Sequence, residues 1–531
     1  MDENVIAQGK EVVDSDDILP SAPLTSSMNG NRINNYYRHG RKVIKIPVSD
    51  SSLNEKVILK WLPRILADHF ENASDYQHFD DVYRGKSHIL GKIRPYNSDK
   101  KKNTIINENH AFYMIEFKKG YMYGNPIKYS CDDDTINTES ITFLNRYMKS
   151  QGKAKKDIDL GEDIFKAGNG YRMILPKKYK MEVDFERMSP FEIFNTEYCS
   201  TFVVYSSHYR RKKLFAGIIT TIDSPNPDEP VKYEILVYSR EHTYRYECHS
   251  KIPVWEDVNF IGKKPHFLNY IPIVEYYVNS ARMGVIDIAE SLFDAINDLS
   301  SDSIDNVNDF VNSILAIYNM AITREDKELV EQAGAISLIT NDPNKPADAK
   351  YIVNQLVQAD VMTRYETAIK WAYNICGVPQ PTQKSTSGGD TGAARELGGG
   401  YESANIVANQ NEEPLKEGDR LMLEVALGIC SMTPKCPVND LMASDIEINF
   451  NRTRSDNLLV KTQSLETLDR LGIPEEVCLN IVGLTGNARE VAIEWKSNKE
   501  EKKKENLDLM KQQSDLSQKK DEPQNIDKQA A

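Results

Sequence analysis

Between Ala281 and Tyr318, the apolar residues Val285, Ile288, Leu292, Ile296, Leu299, Val307, Phe310, Ile314 and Leu315 recur every three or four positions. Asp287, Glu290, Asp294, Asp298, Asp302, Asp305 and Asp309 recur at the same interval on the other side. That period predicts one long helix with an apolar stripe and an anionic stripe, spanning roughly 57 Å at about 1.5 Å per residue. No Lys or Arg occurs from Met283 to Tyr318, so nothing within the helix offsets the repulsion between carboxylates one turn apart. Solvent, cations from a neighbouring chain, or a lumen that must not hold a polyanion would each account for the stripe.

The pattern before this helix changes twice. Residues 1–50 begin polar and aperiodic, as a mobile arm would, and carry a short basic and aromatic cluster of Arg32, Tyr36, Tyr37, Arg38, Arg41 and Lys42. The plain expectation for that cluster is an exposed arm packing on a neighbour, the other being a phosphate contact. Helical spacing follows at Leu53 to Phe70, at Tyr76 to Tyr83 before Gly85, and at Asn107 to Gly124. From Asp157 to Tyr277 the texture becomes short β-branched and aromatic runs such as FVVYSSHYRR and KYEILVYS, separated by turns such as SPNPDEP, which predicts a mostly antiparallel sheet.

After the acidic helix comes a small insertion: a short helix from Arg324 to Ala333, AISLIT as a strand, a turn, and KYIVNQLV as a returning strand or helix start. A second long helix is predicted from Ala359 to Cys376, stopped by Gly377 and Pro379. A polar loop, PTQKSTSGGDTG, precedes a helical stretch from Ala393 to Leu427 that Gly398 to Gly400 interrupt and Pro414 should kink. IEINF reads as a late strand, small helices occupy Leu458 to Trp495, and residues 499–531 form a polar Lys/Glu/Gln-rich tail.

At 531 residues, with 40% hydrophobic and 27% charged content, the chain has the size and composition of a globular protein with more than one structural unit. A net charge of -13 argues against gripping nucleic acid by neutralising phosphates, though not against letting it slide past. No apolar run reaches the roughly 20 residues of a membrane span and the amino terminus is acidic, so no membrane partner and a cytoplasmic origin are expected. The cysteines at 131, 199, 248, 376, 430, 436 and 478 are scattered and odd in number, as reduced, buried thiols would be. Gly85 to Gly91 followed by Lys92 and Ile93 has the wrong spacing for a phosphate-binding loop, and Gly168 and Gly170 fall between helix and strand in the wrong order for dinucleotide binding. With no hydrolase or zinc-protease motif either, the sequence reads as non-enzymatic, with no metal and no cofactor.

The order of parts is what carries a family resemblance. YRGKSHIL (Tyr83 to Leu90), INENHAFYMIEFKKGYMYGNPIKYS (Ile106 to Ser130), FDAINDLSSDSIDNVNDFVNSILAIYN (Phe293 to Asn319), KWAYNICGVPQPTQKSTSGGDTGAA, and EINFNRTRSDN (Glu447 to Asn457) follow one another as in the portal, or head-to-tail connector, proteins of tailed bacteriophages. The likeness is to the siphophage type of Gram-positive hosts and runs from about Leu53 to Trp495. Ser455 and Asp456 stand where that family often has Pro.

The resemblance implies an α+β portal fold: a sheet-rich wing (51–280 and 393–450), stem helices (281–318 and 359–378), a small α/β clip (319–358), a tunnel loop (379–392), a kinked wing helix and a helical crown (451–498). It implies a homo-oligomeric ring, usually a dodecamer, at one capsid vertex of the virion, assembled in the host cytoplasm. Double-stranded DNA would pass through it during packaging and ejection. Terminase and a head-completion adaptor would dock on the clip, with major capsid and scaffolding proteins as further partners. On that footing Lys384, Ser385, Thr386, Ser387, Gly388 and Gly389 would line the constriction, and Arg324, Lys327, Asn341, Asp342 and Lys345 would face partners. Lys384 reads equally as a transient phosphate contact and as a solubilising lysine. A ring-forming virion adaptor that conducts no DNA is the alternative.

Overall fold

The computed structural model describes residues 40–92, 104–131, 138–179, 184–222, 232–248, 257–311, 314–318, 348–352, 358–380, 401–450, 452, 458–482, 491–501 and 504. A six-stranded sheet is built from β1 (Ile44–Ile46), β5 (Thr201–Ser206), β6 (Lys213–Ile222), β7 (Lys232–Tyr238), β8 (His242–Cys248) and β9 (Asn259–Pro265), in that spatial order. Its pairings are antiparallel except for β1 with β5. A second sheet joins β3 (Asn169–Pro176) between β10 (Ile273–Tyr277) and β4 (Phe191–Thr196), and β2 (Lys128–Cys131) pairs with β13 (Ile446–Asn449). The sheet texture expected from Asp157 therefore begins at Asn169; Asp157 itself lies in helix α4 (Lys153–Ala167), which follows α3 (Thr138–Ser150).

Helix α1 runs unbroken from Glu55 to Tyr83, with Pro63 inside it, where the apolar spacing predicts two helices. The predicted gap falls at Asn72 and Asp75, which are polar but buried. Asn72 acts as a side-chain surrogate for a strand: it accepts from the Lys42 amide and donates to the Lys42 carbonyl, both at 2.9 Å. The first half of α1, with Ile58, Leu62, Ile65 and Leu66, packs on the six-stranded sheet, while Tyr76, Phe79 and Val82 join a larger core. That core gathers residues of α3, α4, β3 and β10 together with α2 (His110–Tyr123) and α7 (Tyr401–Met432). Asn109 starts α2 by accepting from the Phe112 amide.

His69 of α1 is buried, with its Nε2 2.8 Å from the Cys199 carbonyl oxygen, and burial depresses its pKa to about 4. The folded protein therefore excludes a proton that the unfolded chain takes up from about pH 6.5 downward. Stability should be unaffected above pH 6.5, fall as the pH drops from there to 4, and be lower by roughly 3 kcal/mol once below it. His69→Gln, which preserves a donor to Cys199, should flatten this part of a stability profile measured by denaturant titration at several pH values.

The acidic helix, α5, spans Val285–Val311 and is followed by a strand, β11 (Ile314–Tyr318), which pairs antiparallel with β12 (Asp348–Ile352). The helix predicted to reach Tyr318 is thus about 40 Å long at 1.5 Å per residue. The β-branched run at Ile314 and Ile317 is spent on a strand pair instead. The returning strand expected within KYIVNQLV is β12, and the second long helix is α6 (Gln358–Cys376), ended by Gly377 at a left-handed φ of 64°. The predicted helix after the polar loop is α7, with Pro414 inside it, and α8 (Leu458–Arg470) and α9 (Glu475–Val482) fall in the segment expected to hold small helices.

Candidate functional site

The seat of α5 is made from glycines. β10 leads through Asn279, whose side chain accepts from the Met283 amide and donates to the Met283 carbonyl, into Gly284. A Cβ on Gly284 would lie 2.2 Å from the Lys166 carbonyl oxygen, and one on Gly168 would lie 2.2 Å from the Arg282 carbonyl oxygen. The end of α4 and the start of α5 thus approach each other through two residues without side chains. On the other flank a Cβ on Gly40 would meet the Ala281 carbonyl oxygen at 2.1 Å, and the Arg41 amide donates to that oxygen at 3.1 Å.

Asp287 caps this start. It accepts from the Gly284 amide at 3.0 Å and the Gly40 amide at 3.3 Å, and the Arg41 guanidinium bridges it to Asp75. Arg41 and Asp287 have no exposed side-chain surface. Burial pushes the Asp287 carboxyl up, against the opposing pull of Arg41. The expectation of an exposed arm fails at Arg41, which is a buried counter-ion, because its guanidinium brings charge to two carboxylates that α1 and α5 enclose. Lys42 pairs on the surface with Asp68 and Glu71, and the rest of the basic cluster lies outside the described residues.

Further along the stripe, the acids divide. Glu290 is buried against His78, and Asp298 pairs with Lys92 at 2.6 Å with both side chains 38% exposed. Asp305 accepts from the Thr104 amide at 3.1 Å, Ser301 from the Ile106 amide at 3.0 Å, and Asn297 from the Glu108 amide at 2.7 Å. This is a ladder with a physical register. Two residues of extended chain advance about 6.6 Å and four residues of helix about 6.0 Å, so every second amide meets every fourth helical side chain. Asp294 and Asp302 also have partners. The stripe is therefore largely answered from within the chain, by segments some 200 residues earlier in sequence, a source the helical pattern does not reveal. Asp302 is exposed; Asp309 lies in α5, but its side chain is outside the described residues.

α6 packs along α5 through the same extended segment. Glu108 accepts from Ser300 and, at 2.8 Å, from Tyr365, with His110 2.9 Å away; burial would raise its carboxyl, but these bonds hold it below the usual range. His110 sits edge-on to Tyr373. The outward faces keep apolar groups exposed: Ile288 and Ile304 on α5, and Met362, Trp371 and Ile375 on α6.

The loop residues Lys384, Ser385, Thr386, Ser387, Gly388 and Gly389, and the insertion residues Arg324, Lys327, Asn341, Asp342 and Lys345, lie outside the described residues. Sequence reading missed Lys92, His78 and the 104–108 segment as partners of the acidic helix. The available signal was Asn297 and Ser301, two uncharged polar residues in step with the acids. None of the seven cysteines is joined in a disulfide, and five of them are buried. Among the described residues, no cluster of His, Cys, Asp and Glu is placed to hold a metal, and no helix is long and apolar enough to cross a membrane.

No curated protein matches the chain. A family model does: phage portal protein, SPP1 Gp6-like, over residues 62–505. The matched span contains the acidic helix, its partners His78, Lys92 and residues 104–108, the α5–α6 pair and the helices after β13, while Gly40 and Arg41 precede it. With most of its length accounted for in this way, the chain belongs to the SPP1 Gp6-like family of phage portal proteins.

Proposed function

We propose that this portal protein works as one member of a closed ring, a dodecamer, in which α5 and α6 form the stem and the outer turns of α5 face the DNA. Membership of the family decides for a DNA-packaging channel at a capsid vertex over a ring that conducts nothing. The observation that carries the finer reading is the division of the acidic stripe. Asp287 and Glu290 are buried at the seat of the helix, whereas Asp298 and Asp302 keep exposed surface farther along. Rotational repetition turns such positions into rings of carboxylate that repel phosphates over a range of about 8 Å at physiological salt. Duplex then slides without sticking.

The same reading takes 51–280 and 393–450 as wing, 319–358 as clip, 379–392 as tunnel loop and 451–498 as crown. The pairing of β11 with β12 supports the clip assignment, since the two strands leave α5 and return to α6 side by side and make a neck for the insertion between them. Terminase and a head-completion adaptor would dock there, through Arg324, Lys327, Asn341, Asp342 and Lys345. Major capsid and scaffolding proteins would contact the ring elsewhere. Lys384, in the tunnel loop, offers one weak phosphate contact per subunit.

Asp302→Lys tests the channel reading. Rings should still assemble, and DNA packaged per capsid should fall at least tenfold, with Asp302→Asn intermediate. Unimpaired packaging by Asp302→Lys rings sinks the channel-facing assignment. Loss of rings themselves assigns the residue to a subunit contact.

A further inference from the structure

The hairpin joining β5 to β6 carries a concentration of positive charge that the described chain does not neutralise. Tyr209 is 63% exposed, and Arg210, Arg211 and Lys212 are exposed beside it. The turn is held in shape from several sides. The Ser206 amide donates to the Lys212 carbonyl at 2.8 Å, the Arg211 amide to the His208 carbonyl at 2.9 Å, and the Ser207 amide to the Ile46 carbonyl at 2.9 Å. Arg211 holds a φ of 45°, a conformation that a non-glycine residue adopts only when its surroundings impose it. Arg210 donates from Nε to the Tyr209 hydroxyl at 2.8 Å, with its guanidinium 5.3 Å from the ring centre.

β1 supplies a fourth cation, since Lys45 stands opposite Tyr205 on the neighbouring strand. Burial, then the charges of Arg211 and Arg282, lower the Lys45 pKa. Arg282 has Glu275 as its partner, whereas Lys45, Arg210, Arg211 and Lys212 have no carboxylate partner among the described residues. Positive groups crowded without an anion, on a chain of net charge -13, mark a place where an anion is to be supplied.

We propose that Lys45, Tyr209, Arg210, Arg211 and Lys212 form a docking surface for the phosphate backbone of double-stranded DNA, additional to the contact DNA makes in passing through the ring. An acidic protein fits less well. Protein interfaces bury an apolar centre, and Tyr209 is the one large apolar side chain exposed among the described residues of β1, β5, β6 and the hairpin between them. Guanidinium and ammonium donors carried together on a hydrogen-bonded turn are what phosphate oxygens require. Each copy in a ring presents the patch once, so individually weak contacts add through multivalency.

The test uses assembled rings and a covalently closed circular duplex, which cannot thread an existing ring. Wild-type rings should bind the circle at low salt. Arg210→Gln/Arg211→Gln/Lys212→Gln rings should bind at least tenfold more weakly, with the slope of log K against log salt reduced by about 0.9 for each phosphate that is no longer neutralised. Tyr209→Ala should weaken binding severalfold without changing that slope. If the triple variant melts early, Lys212→Gln alone, whose carbonyl still closes the hairpin, should reduce the slope by the share of one phosphate, about 0.9. Equal affinity and slope in wild type and variants overturn the proposal, as do rings that hold polyglutamate and ignore the circle. Packaging by the same variants is read separately, so failure of this surface and failure of the channel reading are distinguishable.

Discussion

Asp419→Leu should cost the fold on the order of 3–5 kcal/mol, the penalty for removing one partner from a buried ionic cluster. Asp419 projects from α7 into the centre of the larger core. It accepts from the hydroxyls of Tyr129 and Tyr276, both at 2.8 Å, and from Lys153 at 3.1 Å. Lys153 also bonds Asp157 at 2.8 and 3.0 Å, and Asp157 pairs with Arg172 at 2.8 Å. Two cations and two anions therefore balance, with each side chain 5% exposed or less. Burial would raise the Asp419 carboxyl, but Lys153, Arg172 and the two tyrosines hold it below the usual range. Removing it leaves Lys153 and Arg172 to share Asp157 and orphans two buried hydroxyls.

A double change separates charge from packing. Arg172→Met with Asp419→Leu leaves Lys153 and Asp157 as a neutral pair, so it should recover part of the loss seen in Asp419→Leu alone. Denaturant midpoints for the two singles and the double check this. Additive losses would show that the cluster contributes through shape alone. Because α7, α4, β2, β3 and β10 all meet at this point, the signal should also appear as weaker hydrogen-exchange protection in β3.

What is legible in the sequence is periodic. The apolar spacing places α6 to within one residue at its start, because that spacing is regular and Gly377 supplies the left-handed stop. The acidic period of α5 is equally plain, yet its meaning is not. Asp287 and Glu290 look identical to Asp298 in sequence, and only contacts from 200 or more residues away distinguish buried counter-ions from exposed carboxylates. The same cause hides the continuity of α1. Asn72 and Asp75 break its apolar pattern because they are polar groups buried against the Lys42 backbone and the Arg41 guanidinium, and a pattern of hydrophobicity cannot score a satisfied polar residue as core. At β11 the failure is of a different kind: Ile314 and Leu315 fit the helical period, and a strand partner at Tyr351 and Ile352 decides otherwise. Of the residues expected to act on DNA or partners, the acidic helix and, from the basic cluster, Arg41 and Lys42 fall within the described chain.

Gly168→Ala should be the most damaging single-methyl change at the base of α5, and the reason lies in backbone rather than side chains. Gly168 caps α4 at a φ of 87°, where an L side chain is strained by roughly 1–2 kcal/mol wherever it occurs. Its added Cβ would also lie 2.2 and 2.3 Å from the carbonyl oxygen and carbon of Arg282, atoms that cannot rotate away. Gly152 provides the control, with a φ of 64° and open space around its Cβ, so Gly152→Ala isolates the conformational part. The excess loss of stability in Gly168→Ala over Gly152→Ala, read as a difference in unfolding midpoint, measures how tightly α4 clamps the start of α5. Gly284→Ala probes the clamp from its other jaw, at the Lys166 carbonyl, with no left-handed φ to confuse the reading. If both variants fold yet form rings that package poorly, the clamp sets the angle at which the acidic helix enters the ring. Equal midpoints for Gly168→Ala and Gly152→Ala would mean that α4 and α5 separate freely, and that the helix is positioned by its α6 partner instead.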